Sequence, residues 1–466
     1  MKNIIIFLFF SLSLVGCGCG LDLGNPAPLN VKHYLAVPGE DQVIYSTQSV
    51  DNQDDLGIFR SELPPKGEEK LDSGIISDFF ITPTGDLYYF KEANGVNDAY
   101  HIALNGNKNI EKLSLVDSNG TNIQLPLNYY FHVHYFEVEN ILVVHGENIF
   151  DSNEKTYFSK IDPSSNELVL YDMGANVHDA IFVNSAQKKV YWLDQGVRFY
   201  QSALDVFNPQ LVKQLPESAF DYAVNNDASF MIYENYAKNA LFSLNLQTGQ
   251  VKSIFNVSSL GQEFTELQTW KINPTTSQLS LAVGGSKKAL VVLNFVTNQS
   301  QSFLLNPMDD LDERVALQYS ADGNYLLAFE SDYTSSQLEE IKKDPSVVSA
   351  FLEVRLNVLS NLKAPPFNMI STGILGKDDV VMTDSQVAFD MPNHRVFYGV
   401  GEDVYEMDLI GFNQTAVWHR SEGVNSTKLA EEFLLVNTSD GAFLSGGEIL
   451  FAIDLQSSQD FQITAD

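Results

Sequence analysis

One phrase returns along this chain, and it limits the fold more than any other feature. "YSADGNYLLAFESD" at 319–332 joins a short apolar piece to a turn at Asp322-Gly323, then to a second apolar piece ending in an aromatic. Looser copies stand at 35–47, 79–90, 136–146, 181–194, 222–235, 270–283, 317–332, 387–400 and 434–446, nine in all. Apolar runs rich in β-branched and aromatic residues, broken by Asn, Asp, Gly, Pro or Ser, read as tight β-hairpins. Most copies are followed by another hairpin, as in "ALFSLNLQTGQVKSIF" (240–255) and "DVYEMDLIGFNQTAVW" (403–418), so the unit is four antiparallel strands.

The copies that open at Phe79, Phe136, Ile181, Tyr222, Trp270 and Leu317 lie 57, 45, 41, 48 and 47 residues apart. That matches the roughly 40–50-residue period of propeller blades. A four-stranded sheet has two apolar faces that it cannot bury alone, and radial stacking of sheets covers both while leaving only short edges. The expectation is an all-β chain folded as a single β-propeller of about eight blades, within a range of seven to nine. The 29 glycines, 16 prolines and 12 % aromatic content suit many short strands and tight turns.

The copy at 319–332 and the stretch 82–114 resemble the repeats of the Tol-system propeller family. Asp322, Gly323 and Phe329 match that pattern, and Ala321 stands where the family has proline. The resemblance implies the same blade construction. The tryptophan-docking repeat of quinoprotein propellers is absent, so no quinone or other cofactor is expected.

The amino terminus, "MKNIIIFLFFSLSLVGCGCG", pairs a basic start with an apolar run from Ile4 to Gly16. Such a run is too short to span about 30 Å of hydrocarbon and has the length of a signal-peptide core. Leu14-Val15-Gly16-Cys17 resembles the lipobox of bacterial lipoproteins. That resemblance implies cleavage before Cys17 and acylation of it (diacylglyceryl and an amine-linked chain such as palmitate), which suffices for stable membrane anchoring. Cys19 lacks a large apolar residue three positions before it. With Gly18 after the acylated cysteine, the resemblance further implies sorting to the outer membrane. The expected organisation is a lipoprotein signal peptide at 1–16, a lipidated tether at 17–31 and a propeller at 32–466. No cysteine follows Cys19, so the body is held by packing without disulfides.

The formal charge is −32, from 60 acidic and 28 basic side chains. Such a surface repels phosphate backbones, which excludes nucleic acid as a partner. The stretch at 335–350, with Ser336 and Glu339 spaced as a capping box, reads as a short helical insertion. Leu352, Val354, Leu356 and Val358 then alternate as a strand.

Chemistry is sparse. His132 and His134 lie two apart on one strand face and invite a shared metal, with His145 or His178 as third ligand, but two exposed strand histidines without metal is the plainer reading. Asp309, Asp310, Asp312 and Glu313 crowd four carboxylates together without EF-hand spacing and read as a solvated loop. Ser360 with Lys363, and Ser185 with Lys188, fit Ser-x-x-Lys but lack the companion motifs of acyl-transfer enzymes. Trp192, Trp270 and Trp418 fall on repeat strands and read as packing residues. No catalytic, cofactor or metal residue is assigned, and Cys17 is the one site residue. The function expected is a lipid-anchored, non-catalytic scaffold in the bacterial cell envelope that binds another envelope protein. The alternatives are a hydrolase or lyase with its site in the central funnel, and a carbohydrate-binding or adhesive protein of the cell surface.

Overall fold

The computed structural model describes residues 30–48, 56–64, 67–105, 109–126, 130–147, 155–175, 177, 181–305, 314–332, 352–363, 367–378, 386–419, 423–430, 432–439, 448–457 and 459–463. The expected signal peptide, Cys17, nearly all of the expected tether, the expected helical insertion at 335–350, His178 and the 309–313 carboxylates lie outside these residues. The described residues form nine antiparallel blades, each of four strands except blade 2, where two short segments share the fourth position. Blade 1 runs Asn30–Ala36, Gln42–Gln48, Gly57–Glu62 and Glu68–Ser73; blade 9 runs Gly423–Ala430, Phe433–Ser439, Glu448–Asp454 and Asp460–Gln462. In each blade the strands pair in chain order. Nine is the top of the range read from the sequence, one above the eight favoured there.

The first strand of each blade lies at the axis. First strands of adjacent blades touch directly: Val133 N–H donates to Asp78 Oδ2 at 2.8 Å, Lys271 Nζ to Gln318 Oε1 at 3.4 Å, and the Tyr34 hydroxyl bonds Ser426 Oγ at 2.7 Å. The last of these joins blade 1 to blade 9 and closes the ring. Since each of those blades is cut from one end of the chain, closure uses side-chain packing and no exchanged strand.

The core is divided in the same way. Among the described residues there are nine apolar clusters, and each fills one gap between neighbouring blades. Residue alternation explains this: in "DLYYF", Leu87 and Tyr89 face blade 1, whereas Tyr88 and Phe90 face blade 3. A second strand covered on both faces therefore reads as an unbroken apolar run, as in "VYWL" and "FMIY", rather than as alternation. Fourth strands are the outer edge and are polar, as "EEKLDS" in blade 1. Six blades also carry a bulge between third and fourth strands, which bends the open edge away from further pairing.

Turn chemistry fixes both hairpins. In the outer hairpins an Asn or Asp caps the turn, with Asn245, Asn294, Asp408 and Asp454 each accepting two backbone N–H bonds. The inner turns bind one another. Asn184 Nδ2 donates to Asn226 O at 2.7 Å, Asn226 Nδ2 to Pro274 O, and Asn273 Nδ2 to Gly323 O at 2.7 Å, so a belt of amide bonds runs from blade 4 to blade 7. Gly323 in the recurring phrase has φ +68° and lies so close to Asn273 Oδ1 and Thr275 Oγ1 that any Cβ would overlap them. The glycine serves both the turn and the neighbouring blade.

Eight of the nine phrases are the first and second strands of blades 1 to 8. The ninth, at 434–446, instead covers the second strand of blade 9 and part of the connection after it. In blade 9 the first two strands, Gly423–Ala430 and Phe433–Ser439, pair antiparallel, and the sequence between them, positions 431–432, holds no glycine or asparagine to betray a hairpin. The 57-residue interval after Phe79 also has a structural cause. Both Glu111–Lys112 and Leu125–Pro126 pair with the third strand of blade 2, and Ser114–Val116 between them pairs in parallel with Glu167–Val169 of the blade 3 segment. The expected strand beginning at Leu352 is present, as Leu352–Ser360.

Candidate functional site at the axial mouth

In five blades the first strand bulges at one level, near its start, and the residue just past the bulge is polar each time: His33, Asp78, Asp221, Glu266 and Ser426. A bulge re-aims the side chain that follows it. The outcome is a set of polar groups at the mouth of the ring where the first strands begin, set by five sequences with no common motif.

Two parts of this mouth carry unusual electrostatics. In the first, His33 Nδ1 stands 4.0 Å from Asp78 Oδ1, and Asp78 also accepts the backbone N–H groups of Phe79 and Val133 at 2.8 Å each. Burial pushes the His33 imidazole below its ordinary range; Asp78 opposes this, while Lys32 and His132 add to it. The Lys32 ammonium is also lowered, mainly by burial, against the pull of Asp78 and Glu92. Lys32 and Lys428 are both solvent-exposed side chains on first strands, yet burial lowers both ammonium groups. Exposure inside a surrounding wall of protein, as along a channel, reconciles these facts.

The second part lies between blades 5 and 6. Asp221, just past the bulge, is paired in register with Glu234 of the second strand. Glu234 is only 4 % exposed, and its Oε2 accepts the indole N–H of Trp270 from blade 6 at 3.1 Å, whereas Oε1 has no hydrogen-bond partner. Burial raises this carboxyl to about 7; Asp221 adds to the rise, and Trp270 and Lys238 oppose it. A carboxyl in this condition can hold or release a proton near neutrality. A cavity of about 320 Å³ adjoins it along the channel wall, lined by Asp221, Ala223, Trp270, Lys271 and Pro274 among others. A second cavity, of about 430 Å³, lies beyond Lys271 against Gln318, Tyr319 and Phe389.

The residues singled out in the sequence are dispersed. His132 and His134 are exposed on the first strand of blade 3, and His132 lies opposite His145, whose Nδ1 bonds Thr156 Oγ1 at 2.8 Å. Among the described residues no group of three or more His, Cys, Asp or Glu side chains is arranged to hold a metal ion. Ser185 and Lys188 sit in one tight turn, where Lys188 N–H donates to Ser185 O at 3.2 Å. Ser360 is buried at the end of a strand, and Lys363 is exposed beyond it. All three tryptophans are buried in gaps between blades. Sequence reasoning passed over Glu234 and Asp221. The available signal was an acid closing an otherwise apolar second strand, "FMIYEN", next to an acid opening the first.

No family model matches the chain, and no curated protein does. Solved structures similar to it include an oligogalacturonate lyase in complex with manganese (10 % identity, 84 % of this chain and 98 % of that one, TM-score 0.42). Another is the oligogalacturonate lyase of Vibrio parahaemolyticus (11 % identity, 82 % and 99 %, TM-score 0.39). A third is the β-propeller domain of Myceliophteria thermophila Cps50 (9 % identity, 73 % and 99 %, TM-score 0.39). At these values the assignment of a propeller rests on the nine blades and their nine shared cores.

Proposed function

We propose that this protein is a lipid-anchored scaffold of the bacterial cell envelope, attached through Cys17 to the outer membrane, whose propeller holds another envelope protein at its axial mouth. The observation that carries the reading is an exposed aromatic pair at that mouth. Phe220 (42 % exposed) and Tyr236 (75 %) meet edge to face at 6.2 Å in blade 5. Aromatic surface of this kind, on a rigid sheet and rimmed by polar groups, is typical of protein-binding centres. The lipobox supplies the attachment, and the described ring begins at Asn30, a short tether away.

Two measurements test it. Cys17→Ser is expected to abolish incorporation of labelled fatty acid and to leave an unprocessed precursor; unchanged labelling would refute the anchor. Detergent-solubilised membranes passed over the tagged protein are expected to yield one specific envelope protein, and repeated recovery of the bait alone would refute the scaffold.

A second reading, a hydrolase or lyase acting in the channel, draws on one observation: the Glu234 carboxyl, raised to about 7 beside a cavity lined by Asp221 and Trp270. A proton donor of that strength beside a partly open cavity is what general acid–base catalysis uses.

A further inference from the structure

We propose that the blade 5 mouth is a receptor for a basic segment of the partner protein, taking an arginine or lysine side chain between the Phe220–Tyr236 rings and the carboxylates around them. This rests on the scaffold reading above and specifies the partner's chemistry. Three observations lead to it. The two rings are exposed together at the bulge and at the turn after the second strand, where a docking chain meets them first. The Lys238 ammonium already stands 3.8 Å from the centroid of the Phe220 ring, so the ring face is in use as a cation site.

The third observation is charge. Glu217, on the approach to the first strand of blade 5, and Asp221, on that strand, are exposed. Leu267 N–H of blade 6 donates to Lys238 O at 2.7 Å, which brings exposed Glu266 beside the same turn. Three exposed carboxylates thus stand on the strands and turn around the ring pair, on a protein whose formal charge is −32. An acidic or purely apolar occupant would have to desolvate these groups without compensation, whereas a guanidinium can stack on an aromatic face and bond a carboxylate at once.

The resident lysine gives the test its direction. The protein carrying Cys17→Ser is titrated with a tetra-arginine peptide and with tetra-glutamate, and binding is read by calorimetry. Phe220→Ala combined with Tyr236→Ala is expected to weaken tetra-arginine binding at least tenfold. Lys238→Asn removes the competing cation and suits the left-handed backbone there (φ +52°), so it is expected to tighten binding several-fold. Tetra-glutamate is expected not to bind. Thermal unfolding of each variant checks that it is folded, and if the aromatic pair of substitutions prevents folding, the Lys238→Asn result decides alone. Equal affinity for wild type and both variants would show diffuse attraction to an acidic surface and overturn the proposal. In membranes, a partner retained equally by wild type and the Phe220/Tyr236 variant would refute this site and leave the scaffold standing. No retained partner at all would refute the scaffold, with the peptide result still deciding whether the site takes cations.

Discussion

Replacing Glu234 by glutamine is expected to stabilise the protein at pH 8 by up to about 3 kcal/mol and to leave it nearly unchanged at pH 4. Burial holds this carboxyl at about 7, against an ordinary value of 4.5. Between those two values the folded chain keeps a proton that the unfolded chain has lost, so stability falls as pH climbs from about 4.5 to about 7 and is flat beyond. The gap of some 2.5 pH units corresponds to about 3 kcal/mol, taken as an upper limit. Glutamine keeps the shape and an oxygen for the Trp270 indole N–H, but carries no charge to bury or to set against Asp221. Urea unfolding of both proteins at pH 4, 5.5 and 8 checks the expectation. A difference between them that stays constant with pH would mean that Glu234 ionises normally in the folded ring.

The second large effect is expected where the ring closes. Tyr45 and Leu435 are fully buried in the cluster between blades 1 and 9, with Val43, Phe433 and Ala452 around them. Leu435→Ala is expected to cost about 2–5 kcal/mol, the range for a large-to-small change in a packed core. Its location distinguishes it from a similar change elsewhere. Leu281→Ala acts between blades 5 and 6, which are consecutive in the chain, whereas blades 1 and 9 are joined only by packing and contacts such as Tyr34 to Ser426. Leu435→Ala should therefore raise hydrogen exchange chiefly in Asn30–Ala36 and Gly423–Ala430, with Leu281→Ala leaving those strands protected. A loss under about 1 kcal/mol, or equal exchange patterns in the two variants, would mean that this cluster does not hold the ring shut.

The repeat was readable because each inner hairpin must bury both faces and turn tightly, and those needs leave apolar runs and Asn, Asp or Gly in the sequence. The inner hairpin of blade 9 escaped because the sequence between its two strands, positions 431–432, holds none of these residues, while "NTSDG" just downstream imitates them. The nine phrases nevertheless fall one in each blade, the last on a second strand and not on the whole inner hairpin, and nine lies within the range read from the sequence. The amide belt was not legible, since the acceptor for Asn273 is Gly323, 50 positions on, and only ring geometry brings them together. The polar mouth was hidden for a related reason. Asp221 and Glu234 become a pair through strand register, and Trp270, which looked like one more packing residue, is also the donor that binds Glu234. The resemblance of residues 14–17 to a lipobox is a property of the sequence alone, and Cys17 lies outside the described residues.

Nine blades close into one ring with the first against the last. The body beyond Cys19 contains no cysteine, so a chain with Cys17→Ser and Cys19→Ser gives a clean background for Tyr34→Cys and Ser426→Cys, 392 positions apart. A short bis-maleimide added to dilute protein is expected to link the two thiols within one molecule, giving a circularised species of altered mobility under denaturing electrophoresis. Failure to form that species in the folded protein, with both thiols shown to be reactive, would contradict the closed ring.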